Sequence, residues 1–290
     1  MTSLRTIGRI SLLAAAAVLA VAQATGCGPA GEAAAKQPDD VVAVNELQEI
    51  TISGKNYFFV APDTIEAGWT TIRLRNMGPE LHHVQLVRLA DGKTVDDLME
   101  ALKQQQLPEW AELIGGPNAP QPRSESLGTL DLKPGNYAII CWIPTAEGVP
   151  HMAKGMSRAM TVVASKRPAV SAPTVDAGLV LEDYKFELTG ELKAGSRTIK
   201  VQNDATQPHE VFIAKLEPGV SAEQFLVALE KGGPAAGIAV GGTTGIAPGG
   251  VNYITLQLEP GTYALYCFAP DAKDGKPHVA HGMMRELTVS

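Results

Sequence analysis

Residues 137–156 read YAIICWIPTAEGVPHMAKGM, and 126 positions after Cys141 the chain comes back to Cys267 inside YALYCFAPDAKDGKPHVAHGM, residues 263–283. The match runs far beyond this phrase. At a spacing of 127, Tyr57 and Phe59 answer to Tyr184 and Phe186, Ala67-Gly68 to Ala194-Gly195, and Asn76 to Asn203. LHHVQLVRL (81–89) answers to PHEVFIAKL (208–216), which pairs His82 with His209, and DLKPGNYAIIC answers to QLEPGTYALYC. A sequence written twice has to fold twice into the same kind of unit. At 290 residues the chain is long enough for each copy to bury its own core.

The periodicity inside each copy is mostly that of strands. TTIRLRN and RTIKVQN alternate, and VNYITLQLEPGTYALYCF reads as two strands joined at Pro260-Gly261. One short helix per copy is expected, over about 95–104 and 222–231, each after an N-cap candidate, Thr94 and Ser221. Asp97 and Gln224 stand three residues on, and Gln224 completes a capping box. Many short strands with turns between them predict an all-β fold of two tandem β-sandwich domains. Their predicted bounds are 47–164 and 176–290, with SKRPAVSAPTV (165–175) as the linker.

Upstream of the first copy, Arg5 and Arg9 precede the apolar run ISLLAAAAVLAVA, which is short for a membrane span and reads as a signal peptide over residues 1–27. It ends in ATGC, which resembles a bacterial lipoprotein signal in which Cys27 is acylated and becomes the mature N-terminus. Ordinary cleavage after AQA (22–24) is the alternative. Residues 28–46 then read as a tether with nothing to bury. The chain is expected to be exported and lipid-anchored on the cell membrane or outer membrane, facing the periplasm or extracytoplasmic space. A net charge of −7 argues against a nucleic-acid partner, since phosphate binding needs a basic face.

Of the three cysteines, Cys27 goes to the anchor, and Cys141 and Cys267 remain. Each copy keeps two His, one Cys and one Met: His82, Cys141, His151 and Met156, then His209, Cys267, His278 and Met283. Two imidazoles, a thiolate and a soft thioether make the donor set of a blue copper site, with the Met as weak axial ligand. One His comes from a distant strand, while the other three donors cluster on one loop.

With these motifs each copy resembles a cupredoxin, the plastocyanin and azurin family of Greek-key β-sandwiches. The family pattern is a mid-domain His, then G-x-Y-x-x-x-C, then P-H-x-x-x-G-M. Here it reads GNYAIIC with PHMAKGM and GTYALYC with PHVAHGM. The resemblance implies two type 1 copper sites, one per copy, with those eight residues as ligands. Two departures stand out. The Cys-to-His loops hold nine and ten residues, closer to copper nitrite reductases than to plastocyanin. His83 and Glu210 occupy the place of the Asn that ties the ligand loops together in plastocyanin and azurin. Tyr266 precedes Cys267 as an aromatic precedes the ligand Cys in plastocyanin, which implies a surface electron route at the second site; the first copy has Ile140 there.

Other assignments of these residues are a Cys141–Cys267 disulfide, plausible in an exported protein, and a copy that keeps its fold but has lost its metal. His83 and His281 read as surface residues, and Trp142 and Phe268 as packing against the sites. Laccases and nitrite reductases are two-domain cupredoxins that add type 2 or type 3 copper on further histidines. Only six histidines exist here and four are assigned to the sites; no other catalytic motif or acidic metal cluster is apparent. The expected function is therefore that of a membrane-anchored electron carrier with an unidentified redox partner protein, not an enzyme. Copper sequestration or delivery is the second reading.

Overall fold

The computed structural model describes residues 46–104, 106–231 and 236–290. The signal segment, Cys27 and all of the tether but residue 46 lie outside the described residues. The first copy comprises β1 (Gln48–Lys55), β2 (Phe58–Val60), β3 (Thr64–Glu66), β4 (Gly68–Asn76), β5 (Gln85–Leu89), α1 (Val95–Leu102), β6 (Ala111–Gly115), β7 (Glu125–Leu132), β8 (Gly135–Ile140) and β9 (Ser157–Val163). The second comprises β10 (Ala177–Glu182), β11 (Lys185–Thr189), β12 (Gly195–Asn203), β13 (His209–Leu216), α2 (Ala222–Lys231), β14 (Gly237–Ile246), β15 (Val251–Leu258), β16 (Gly261–Tyr266) and β17 (Met284–Val289).

Period-two patterning decides which face is buried. Along β4, Thr70, Ile72, Leu74 and Asn76 point inward, while Arg73 on the other face pairs with Glu49 and Glu125. In the first copy the inward faces of the two sheets enclose Ile52, Ile72, Leu74, Leu86, Leu130, Ile139, Cys141 and Met156. An equivalent core in the second copy holds Ile199, Val201, Ile213, Ile254, Leu265, Cys267 and Met283. Each helix packs on an outer sheet face, α1 through Leu98 and Leu102 and α2 through Phe225. Both capping boxes form: Thr94 with Asp97, and Ser221 with Gln224. α1 ends at Leu102, two residues short of its expected end. The topology is the all-β, cupredoxin-like one expected for each copy.

The copies share their sheets. One sheet runs β11-β10-β12-β15-β7-β4-β1-β2 and the other β17-β16-β13-β14-β6-β5-β8-β9-β3, so in each sheet a block of second-copy strands joins a block of first-copy strands with no edge left between them. The joint is a near two-fold. Leu127, Gly128 and Thr129 pair antiparallel with Thr255, Ile254 and Tyr253. Because equivalent residues here stand 126 apart, this register is symmetric about Gly128–Ile254. On the other sheet Ile114 meets Ile246, Pro120 meets Val240, and Pro117 meets its own equivalent Thr243. Such a self-complementary contact is what a symmetric dimer would use, here made within one chain.

Beside the axis two equivalent glycines leave no room for a side chain, each packed on the backbone of its own copy. A Cβ on Gly116 would lie 2.3 Å from the Val84 carbonyl oxygen, and one on its equivalent Gly242 would lie 2.0 Å from that of Val211. Both glycines have positive φ, 137° and 126°.

Candidate metal centres

Each predicted ligand His enters from a loop that a buried Asn pins. Asn76 donates to the carbonyls of Glu80 and Pro120 at 2.8 and 3.1 Å, just ahead of His82. Asn203 does the same to Gln207 and Ile246, just ahead of His209. The Cys ends the strand β8 or β16. A single 3-10 turn then carries the second His, His151–Lys154 in one copy and His278–His281 in the other. The Met follows that turn. Its amide donates to the carbonyl of the turn's His at 3.0 Å in both copies, and its carbonyl accepts from the Cys amide at 3.2 Å. The x4 spacing thereby brings Cys, His and Met to one spot.

His82, Cys141 and His151 come together with all three ligand atoms within 4.8 Å of one another, and so do His209, Cys267 and His278. All six are fully buried, as are Met156 and Met283. Nδ1 of His82 lies 3.1 Å from Nδ1 of His151, which lies 3.6 Å from Cys141 Sγ. Cys267 Sγ lies 3.6 and 3.4 Å from Nδ1 of His209 and His278. Gly54 lets His82 and Met156 approach: a Cβ there would stand 3.1 Å from His82 Cβ and 3.2 Å from Met156 Cε. Among the described residues both cysteines are free thiols, each in its own cluster, so they do not form the disulfide.

Carboxylates that the sequence reading did not single out orient the rings. His151 Nε2 bonds Glu80 at 3.0 Å, and Glu80 also accepts from the Tyr57 hydroxyl at 2.9 Å. In the second copy the anchored ring is the other one: His209 Nε2 bonds Asp183 at 3.0 Å. His278 Nε2 stands 3.7 Å from Asp271, which Tyr184 holds. Tyr57 and Tyr184 sit at positive φ, 61° and 65°, a conformation that costs energy for a bulky residue. Their rings stand edge-on to His151 and His278, centroids 5.1 and 5.5 Å apart. Their recurrence in both copies was the available signal. The carboxylates gave none, because Glu80 and Asp183 occupy unmatched positions.

Electrostatics makes each cluster a receiver of cations. Burial lowers His82 and His278 to about 4, so these imidazoles are neutral. Burial pushes the Cys141 thiol up to about 12 and raises Cys267 as well. In so dry a pocket only a cation placed against sulfur favours the thiolate. With Nε2–H donated to Glu80 or Asp183, Nδ1 of that ring turns its lone pair inward. Two inward nitrogens, one thiolate and a thioether suit copper in both of its oxidation states. The residues fit the metal.

Four expectations are corrected here. His83 is not a surface residue: it is buried, and its Nε2 accepts the Trp142 amide at 2.9 Å. Glu210 does the same for the Phe268 amide at 3.1 Å, and its own amide points at Cys267 Sγ, 3.4 Å away. His83 and Glu210 thus tie the loop of the first ligand His to the residue after the ligand Cys in each copy. Burial raises the Glu210 carboxyl to about 7. Tyr266 is no surface route, because its side chain is fully buried under α2 and its hydroxyl donates to the Ala222 carbonyl at 2.8 Å. An acidic cluster does exist: Asp271, Asp274 and His281, which is exposed as expected, gather beside the second centre as the longer loop folds back. Trp142 packs with the α1 cluster and Phe268 with the α2 cluster, outside the cores that hold the ligands.

No family model and no curated protein matches the chain. Among solved structures it is similar to the "blue" copper protein auracyanin A of Chloroflexus aurantiacus, at 20% identity over 41% of this chain and 100% of that one, TM-score 0.30. It is also similar to a multicopper oxidase, at 13% identity over 84% and 89%, TM-score 0.26. A copper nitrite reductase from Nitrosomonas europaea aligns at 11% identity over 84% and 94%, TM-score 0.25. These values reach no further than the fold, and the assignment of that fold rests on the topology above. Structures aligned along both copies include enzymes, so the expectation that the chain is not an enzyme is withdrawn.

Proposed function

We propose that the chain is a two-centre type 1 copper protein that carries single electrons outside the cytoplasm, held at a membrane by lipid on Cys27. Copper bound to these donors shuttles between Cu(I) and Cu(II), one electron at a time. The observation that carries the reading is the paired Nδ1, Nδ1 and Sγ cluster, buried and carboxylate-braced in each copy. His82, Cys141, His151 and Met156 would hold one copper, and His209, Cys267, His278 and Met283 the other. Bracing from strands, pinned loops and the carboxylates of Glu80 and Asp183 keeps the donors in place in both oxidation states, which favours fast exchange. A redox partner protein supplies or takes the electron.

Copper analysis of the purified chain tests it. The expected result is two coppers per chain with an intense blue or green thiolate-to-Cu(II) band. One copper per chain, or a colourless Cu(II) form, overturns the two-centre reading.

Anchoring is tested separately. Two acyl chains with a third on the amine hold a protein firmly, whereas one chain binds marginally. Cys27→Ala is expected to move the protein from the membrane fraction to the soluble one with its copper content unchanged. A wild-type chain already found in the soluble fraction removes the lipoprotein assignment.

A further inference from the structure

The residues that tie the ligand loops in the two copies face each other across the near two-fold axis. His83 receives the amide of Trp142, the residue after Cys141. Glu210 receives the amide of Phe268, the residue after Cys267. Between them stands Asn118, itself 2% exposed. Its Nδ2 donates to Glu210 Oε2 at 3.4 Å and to the carbonyls of Val211 and Thr243 at 3.3 Å each. On the side of the first copy, the Val84 amide donates to the Pro117 carbonyl at 3.0 Å, which joins the residue after His83 to the residue before Asn118.

Asn118 has no twin. The position 126 residues on is Thr244, whose hydroxyl reaches back across the axis to the Val84 carbonyl at 3.0 Å but touches neither tie. Leu81 and Ile143 of the first copy also pack in the cluster that holds Phe268 and Tyr266 of the second, so the ground between the centres is filled with protein.

We propose that Asn118 bridges the two metal centres and that electrons pass between them inside one molecule, along Cys141–Trp142–His83–Val84–Pro117–Asn118–Glu210–Cys267. The inference rests on the two-copper reading above. In each event Cu(I) at one centre is oxidised to Cu(II) while Cu(II) at the other is reduced to Cu(I). One electron crosses and no proton or co-reactant is consumed. Hydrogen bonds carry electronic coupling across non-bonded contacts better than an apolar gap does, and a connected chain polarises along its length. The dyad gives this arrangement a use: an electron accepted at one face of the molecule can leave from the other.

The test reduces the copper-loaded chain with less than one equivalent of a pulse-generated one-electron reductant. Redistribution between the centres is followed at the charge-transfer bands. Wild type is expected to show a relaxation whose rate does not depend on protein concentration. Asn118→Leu keeps the volume but cuts the bridge, and is expected to slow that phase by about tenfold or more while both bands and both coppers remain. Thr244→Val, which also crosses the axis, is expected to leave the rate unchanged. A metal-free readout accompanies it: Asn118→Leu should speed hydrogen exchange at the amide of Phe268, since its acceptor Glu210 loses the support of Asn118. Asn118→Ser serves if the leucine variant does not fold. Two coppers with an unchanged rate in the Asn118 variants, or a rate that scales with concentration, overturns the bridge alone. Equal slowing in Thr244→Val assigns the route to the shared interface and also overturns it. Fewer than two coppers overturns the bridge together with the functional reading.

Discussion

Cys141→Ser is expected to abolish the charge-transfer band of the first centre and leave that of the second, and Cys267→Ser the reverse. Each variant should therefore keep about half the absorbance, and the double variant none. The band arises from electron donation by thiolate sulfur, and serine offers a hard oxygen whose proton is not given up in so apolar a pocket. The same substitution has a cost without metal, since a buried hydroxyl placed among Ile139, Leu86 and Met156 meets few partners. A loss of roughly 1–3 kcal/mol is expected for the metal-free chain. Absorption spectra of the copper-loaded variants and thermal melts of the metal-free ones measure the two effects independently. If Cys141→Ser bleached both bands, the centres would not be separate sites. If it bleached neither, Cys141 would not be a ligand.

Gly242→Ala carries the largest expected loss of stability. Its Cβ would fall 2.0 Å from the Val211 carbonyl oxygen, a backbone atom that cannot move without breaking the β13–β14 ladder. The residue also sits at φ 126°, outside the range of an L side chain. Gly219 has φ 81° with nothing within 4 Å of a Cβ, so Gly219→Ala isolates the conformational term alone. That term costs about 1–2 kcal/mol. Overpacking adds about 1–3 kcal/mol, so Gly242→Ala should lose roughly 3 kcal/mol or more. For a unit of this size that lowers Tm by about 6–12 °C. Because Gly242 stands at the axis joining both copies, the whole described unit should melt together at the lower temperature. A loss no larger than that of Gly219→Ala, or a melt that splits into two transitions, would mean the joint is not shared.

Much of this was legible in the sequence, because it is local or repeated. The alternation in TTIRLRN puts Ile72 and Leu74 inward whatever surrounds them, since period two follows from the pleat. Thr94 and Ser221 could be placed as helix caps because a capping box closes over three residues. The duplication also isolated the eight candidate ligands, as chemistry kept in two copies stands out against unmatched surroundings. Even the pinning asparagines and the strained tyrosines were visible as pairs, although not what they hold.

What tertiary structure decided lies wherever two distant segments meet. His83 looked exposed because a lone polar residue beside a ligand carries no mark of burial; only the approach of Trp142, 59 residues away, gives it a partner. Tyr266 looked like a surface conductor until α2 covered it. Glu80 and Asp183 became the braces of opposite histidines, because a carboxylate needs only to arrive within hydrogen-bond reach and several backbone positions allow that. The largest such decision is the fusion of the copies. A repeat of 126 residues specifies two like units, but it does not say whether they hang on a linker or share sheets. That depends on Gly115 and Gly241, where a Cβ would stand 1.7 Å from Asn252 Nδ2 and 2.7 Å from Ser126 Cβ of the opposite copy, and on Asn118 and Thr244 finding acceptors there. Sequence sets the chemistry available to each residue; contact across the axis sets which of it is used, because an unpaired polar group costs too much to bury until its partner arrives.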